Sequence, residues 1–153
     1  MHKPRVYIDT SVIGGYFDDE FKEWSNKLFE KFIKGEFIAI ISDITLEELE
    51  DAPQYVRNIL NVIPEINKVF VTLNDEVRSL SYNYIREGIV TTKSLIDTRH
   101  IAIATINKVD VLTSWNFKHI VNYNKIKLYN SINIKLGYPY IEIRNPRELI
   151  DEN

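Results

Sequence analysis

Short apolar runs alternate along this chain with longer stretches in which apolar residues recur every three or four positions. Arg5–Ile8 reads as a strand that ends at Asp9, and Thr10-Ser11-Val12-Ile13 then opens a helix. Phe21, Trp24, Leu28, Phe32 and Ile33 keep helical spacing up to Gly35, which predicts a helix stop. Phe37–Ser42 is apolar up to its serine, the pattern of a strand buried on both faces. Ser42 or Asp43 caps a following helix that carries Leu46, Glu47, Glu48 and Leu49, and Pro53 starts another. Val69–Leu73 is a short strand, and Asn74 or Asp75 caps a helix whose Val77, Leu80, Ser81, Tyr84 and Ile85 form one stripe before Gly88. Lys93–Asn107 predicts a helix of low polarity and Val109–Thr113 a strand. A short helix Asn116–Asn122, a longer one Lys125–Leu136, a last strand Tyr140–Ile143 and a terminal helical turn at Pro146 complete the pattern.

Alternating strands and helices predict an α/β fold in three layers, a central mostly parallel sheet of about five strands flanked by helices. At 153 residues the chain is read as one domain, 1–153, long enough to bury a substantial core. With 44% hydrophobic and 27% charged residues it has the composition of a globular protein, and no repeat or linker interrupts it. It contains no cysteine, which excludes disulfides, thiolate metal sites and a thiol nucleophile. No apolar run is long enough for a signal or a membrane span, so a cytoplasmic protein without membrane contact is expected.

The net charge of −3 conceals an asymmetry. Residues 1–76 hold 8 Lys/Arg against 15 Asp/Glu, while residues 77–153 hold 11 against 7. An acidic half offering metal ligands beside a basic half offering phosphate contacts would produce this split, as would ordinary surface variation. The overall balance does not suit strong non-specific binding to duplex nucleic acid.

Three acids stand out by their settings. Asp9 sits at the carboxyl end of a buried strand, where open α/β sheets place their ligand crevices. Glu48 follows the second strand in an acidic run bracketed by Leu46 and Leu49, and Asp97 lies in an apolar helical stretch where residues 97, 101 and 104 share a face. Each has a bland alternative: a helix cap for Asp9, a solvated face for Glu48, and a helix-dipole or ion-pair charge for Asp97. Together they suggest a hard divalent cation, Mg²⁺ or Mn²⁺, since the chain has neither thiols nor a histidine cluster. His100 reads as a packed helix histidine, while Lys118 and His119, just past a strand end, are placed to touch phosphate. Tyr123, Tyr129, Tyr138 and Tyr140 interleave with Lys125, Lys127 and Lys135, which suits either single-stranded nucleic acid or a packed, snorkelling surface.

Asp9-Thr10-Ser11-Val12, Ile44-Thr45-Leu46-Glu47-Glu48-Leu49 and Asp97-Thr98-Arg99-His100-Ile101-Ala102-Ile103-Ala104 resemble the three acidic motifs of PIN-domain ribonucleases, which include the VapC-type toxins of toxin–antitoxin pairs. Val109–Phe117 resembles that family's fourth motif, and Ile141–Leu149 its closing strand and Pro-x-Glu-Leu turn, so the likeness runs the length of the chain in order. The resemblance implies a metal-dependent endoribonuclease with Asp9, Glu48 and Asp97 as catalytic metal ligands. Asn116 falls at the fourth acidic position, where an amide oxygen could still reach Mg²⁺ without adding charge. Asp110 is a weaker substitute, placed at the far end of its strand. The resemblance further implies that Ser11 contacts substrate phosphate or a metal-bound water. It implies as partners single-stranded or looped RNA, an antitoxin protein and a second copy of the chain.

Two rivals stand beside this reading. Asn116 would suit a degenerate module that binds RNA or protein without cutting. An Asp-based phosphatase or phosphotransfer domain would use Asp9 as nucleophile, but the second acid such phosphatases place two positions on is here Ser11.

Overall fold

The computed structural model describes residues 2–150. Five strands form one sheet: β1 (Arg5–Ile8), β2 (Ile38–Ser42), β3 (Lys68–Val71), β4 (Val111–Thr113) and β5 (Ile143–Arg144). Their order is β3-β2-β1-β4-β5 and every pairing is parallel, with Tyr7 opposite both Ile40 and Leu112. Eight α-helices accompany them: α1 (Thr10–Gly15), α2 (Lys22–Ile33), α3 (Asp43–Glu48), α4 (Gln54–Arg57), α5 (Asp75–Arg86), α6 (Leu95–Ile106), α7 (Tyr123–Lys135) and α8 (Pro146–Ile150).

Alternation along the strands divides the core in two. Tyr7, Ile40, Leu112 and Ile143 face one way and pack with Val77, Leu80 and Tyr84 of α5, Ile101 to Ala104 of α6, and Tyr129 and Ile132 of α7. Val6, Ile8, Ala39, Ile41 and Val111 face the other way, against Val12 and Ile13 of α1, Leu28, Phe29 and Phe32 of α2, and Ile150 of α8. Each fully buried Phe or Leu contributes on the order of 1.5–3 kcal/mol, so these two layers dominate the stability. Helix α6 is open to solvent only in its first turn and buried from His100 to Thr105, which explains its lack of a polar stripe there.

Two expected elements differ. Asn116–Asn122 forms turns instead of a short helix. The side-chain oxygen of Asn116 takes the N–H groups of Lys118 and His119, its carbonyl takes those of Ile120 and Val121, and Asn122 then caps α7 two residues before the expected start. The last strand is shifted from Tyr140–Ile143 to Ile143–Arg144. Buried Asn130 donates to the carbonyl of Ile141 at 3.0 Å and accepts its N–H at 2.7 Å, so a side-chain amide replaces a strand partner there.

The strand order reverses direction between β1 and β4, and open parallel sheets form their crevice beyond the carboxyl ends at such a point. Asp9 follows β1, Ser114 and Asn116 follow β4, and α3 with Glu48 follows β2.

Candidate active site at the carboxyl edge of the sheet

The side chains at this edge form two strings of contacts that meet at the neighbours Asp9 and Thr10. Thr10, next to Asp9, donates its hydroxyl to Glu48 Oε1 at 2.5 Å. His100 Nε2 lies 2.8 Å from the same oxygen, and Asp97 stands one helical turn before His100. The amide nitrogen of Asn116 donates to Asp97 Oδ1 at 3.1 Å, its backbone N–H donates to Ser114 Oγ at 2.9 Å, and Ser114 donates to Asp9 Oδ2 at 2.5 Å. Segments spread from residue 9 to residue 116 are thereby brought to one edge.

Asp9 caps α1 by accepting the Val12 N–H at 3.3 Å, so the helix-cap alternative is realised as part of the site. Its carboxylate also accepts the Ser11 hydroxyl at 2.6 Å. The residue is only 4% exposed, and burial pushes its carboxyl above the ordinary range, against the opposing effects of His100, Ser11, Ser114 and the Val12 N–H. Burial likewise pushes Asp97 up, against the pull of His119, His100 and Asn116. Glu48 goes the other way: burial would raise it, but the His100 and Thr10 hydrogen bonds and the His100 charge hold it below the ordinary range. In two of the three acids burial thus outweighs the partners, while in the third the partners outweigh burial.

His100 is packed, as its helical setting predicts. It is 2% exposed with both ring nitrogens engaged, Nε2 on Glu48 and Nδ1 on the Tyr7 hydroxyl at 2.6 Å. Tyr7 also meets Ser42 Oγ at 2.7 Å, and burial raises its hydroxyl pKa well above the ordinary value, so the phenol stays protonated. This buried relay from Ser42 fixes the ring that holds Glu48.

Ser11 is tied into the scaffold. It donates to Asp9, and its oxygen accepts the Trp115 N–H at 2.9 Å. Asn116 is oriented by its turn: the oxygen accepts two N–H groups at 3.2 and 3.0 Å, and reversing the amide would set NH₂ against both donors. It therefore offers Asp97 a donor, whereas the sequence suggested an amide oxygen for a metal. Lys118 is exposed, and His119 is partly buried with Lys125 Nζ at 3.2 Å from Nδ1. Burial and the Lys125 charge push the His119 ring below its usual pKa, with Asp97 pulling it back, which leaves a neutral imidazole beside the acids at pH 7. Asp110 lies apart, bonded to the Arg5 N–H and to His2 at the opposite end of the sheet.

Tyr7, Thr10, Ser114 and Trp115 are the members of this edge that sequence reasoning did not single out. Thr10 and Ser114 immediately follow or lie one residue beyond a strand end, and that position was their only signal.

The donor set suits a hard divalent cation: three carboxylates, with both hydrogen bonds of Glu48 on Oε1 and that of Asp97 on Oδ1, leaving Glu48 Oε2 and Asp97 Oδ2 for another partner. Among the described residues no three His, Asp or Glu side chains stand close enough to enclose an ion as they are. Among the same residues no helix is long and apolar enough to cross a membrane.

No family model and no curated protein sequence matches the chain. Its fold, however, is that of solved VapC-type structures. The VapBC2 structure from Rickettsia felis, bound to a DNA fragment from its promoter, aligns with a TM-score of 0.57 at 13% identity over 92% of this chain and 98% of that one. VapC20 of Mycobacterium tuberculosis, a sarcin–ricin loop cleaving toxin, aligns with a TM-score of 0.57 at 8% identity over 89% of this chain and 98% of that one. At such identities the likeness is one of architecture: a PIN/VapC-type fold.

Proposed function

We propose that this protein is a Mg²⁺- or Mn²⁺-dependent endoribonuclease of the VapC type, the toxin of a toxin–antitoxin pair, with Asp9, Glu48 and Asp97 as its catalytic acids. The observation that carries the reading is the set of hydrogen bonds that places these acids along the switch-point edge of a parallel sheet, two of them with carboxyls raised by burial. The shared fold supports it, since one neighbour is a sarcin–ricin loop cleaving toxin and the other VapBC2 bound to a DNA fragment from its promoter. Single-stranded or looped RNA and an antitoxin protein follow as the partners of this reading, with self-association of the chain a further part of it.

Asp9, Glu48 and Asp97 would hold the cation, which when bound lowers the pKa of a water and offsets charge on a scissile phosphate. The chain's own groups prepare that site. Ser11 and Ser114 hold the two oxygens of Asp9 in fixed directions, and His100 with Thr10 fixes Glu48 through one oxygen. Asn116 holds Asp97. Lys118 and His119, on the turn beside Asp97, are assigned to the RNA backbone, Lys118 as a cation and His119 as a neutral donor. Hydrolysis by water leaves a phosphomonoester end. Attack by the neighbouring ribose 2′-hydroxyl would leave a 2′,3′-cyclic phosphate instead. Mass analysis of the products is the test: phosphomonoester ends formed directly support the assignment, and cyclic phosphates contradict it.

One observation favours a module that binds without cutting, namely that Asn116 brings NH₂ to Asp97 at a position the family fills with an acid. Binding of RNA with no cleavage in Mn²⁺ would establish it. The use of Asp9 as a phosphoryl acceptor is disfavoured by its burial and by the three donors on its carboxylate.

A further inference from the structure

Beside the acids lies a recess of about 320 Å³ walled by Phe21, Trp24, Trp115 and Phe117, with Glu20, Asn145 and Arg147 as its polar lining. Phe21 stacks on Trp115, with ring centres 4.2 Å apart and planes 19° from parallel. Phe117 stands across that pair, 6.1 Å from Trp115 at 63°, with 49% of its surface exposed. The Arg147 guanidinium lies 5.1 Å and the Lys27 ammonium 4.7 Å from the Trp24 ring centre. The recess is joined directly to the acids. Trp115 and Phe117 flank Asn116 in the chain, and the Trp115 N–H bonds to Ser11, which bonds to Asp9. Trp115 is held from behind by its indole N–H on Ser25 Oγ at 2.9 Å, so the wall is rigid.

We propose that this recess seats one unpaired base of the RNA strand whose backbone runs past Asp9 and Asp97, and so sets which nucleotide lies beside the cleaved bond. The proposal rests on the nuclease reading and adds to it a specificity subsite. Phe117, half exposed beside the stacked Phe21–Trp115 pair, offers a ring that a planar base can stack on, which is how single-stranded nucleic acid is held. The lining carries one positive and one negative side chain, Arg147 and Glu20, so ring stacking is what would hold the base here. An aliphatic peptide anchor would find rings here where aliphatic walls suit it better, and a duplex would keep its bases stacked out of reach. At about 320 Å³ the recess is at the lower end of small-ligand sites, a size that suits one nucleotide.

The chain's two tryptophans, Trp24 and Trp115, both line the recess, so fluorescence excited selectively at tryptophan reports on it. Full-length protein in chelator is titrated with a nine-nucleotide single-stranded oligoribonucleotide, with the four nucleoside monophosphates and with ribose 5-phosphate. The oligonucleotide and at least one nucleoside monophosphate will quench the signal, and ribose 5-phosphate will not. Phe117→Ala will weaken oligonucleotide binding about tenfold. Phe117→Tyr will restore it, and Phe70→Ala on the far edge strand will leave it unchanged. Cleavage in Mn²⁺ should show the same split, with KM and base preference altered in Phe117→Ala. If the wild type cleaves RNA while Phe117→Ala keeps its KM and base preference, the subsite is overturned and the nuclease reading stands. If the protein neither binds nor cleaves RNA, both are overturned. Fluorescence that responds to a protein partner but to no nucleotide assigns the recess to protein and also overturns the base subsite.

Discussion

The amide nitrogen of Asn116 lies 3.1 Å from Asp97 Oδ1 while its oxygen is held by the N–H groups of Lys118 and His119. One residue thus opens a turn and donates to an acid without bringing charge of its own. Replacing NH₂ by a carboxylate oxygen would keep the turn, since Asp accepts N–H groups as well as Asn, and would set a second negative charge against Asp97.

Asn116→Asp is therefore expected to bind Mn²⁺ about tenfold more tightly and to melt at a lower temperature in chelator. Calorimetric titration and melting curves read the two quantities separately. Equal affinity and equal melting temperature in both proteins would separate Asn116 from the acids.

Asp9 and Glu48 should carry opposite pH signatures in the metal-free protein. The Asp9 carboxyl is raised on folding, so its contribution is most favourable below the unfolded carboxyl range and declines as pH climbs through the folded value. Glu48 is lowered, so its contribution is complete above the unfolded range and is lost as pH falls through the folded value. At neutral pH in chelator, Asp9→Asn should raise the melting temperature and Glu48→Gln should lower it. Shifts of the same sign would contradict the assignment of charge strain to Asp9.

Gly15 ends α1 under the indole of Trp115. A Cβ there would meet Trp115 Nε1 at 2.7 Å and Ser25 Oγ at 2.9 Å. Gly15→Ala should cost about 1–3 kcal/mol in denaturant unfolding, because the ring must move and its bond to Ser25 must break. Its tryptophan emission should shift as well. Unaltered emission with unaltered stability would mean that Trp115 is loosely held.

Mn²⁺ should stabilise the fold by about 2.7 kcal/mol at a hundredfold excess over its dissociation constant. Asp9→Asn should lose most of that gain, and Glu87→Gln, at the far end of α5, none of it. A wild-type melting temperature that ignores millimolar Mn²⁺ would remove the metal from the account.

β1, β2 and β4 were legible because their runs are apolar on both faces, and Asp9, Glu48 and Asp97 stood out as candidates because an acid is conspicuous beside such runs. What the sequence hid was carried by side chains that replace backbone partners. Asn130 stands in for a strand at Ile141, and Asn116 gathers the N–H groups that would have started a helix. Neither asparagine differs in sequence from an exposed one. The pairing of Glu48 with Thr10 and His100 joins residues 38 and 52 positions apart, and no local periodicity encodes it. The aromatic recess combines Phe21 with Trp115 across a wider gap of 94 positions, and no local periodicity joins them either.

The most direct measurement follows the cleavage of an end-labelled single-stranded oligoribonucleotide by purified protein, first in chelator and then after addition of excess Mn²⁺ or Mg²⁺. The account predicts no cleavage in chelator, cleavage when the cation is restored, and loss of about a hundredfold or more of the rate in Asp97→Asn, since the protein offers no other activated nucleophile. Cleavage that persists in chelator, or at full rate in Asp97→Asn, would contradict it.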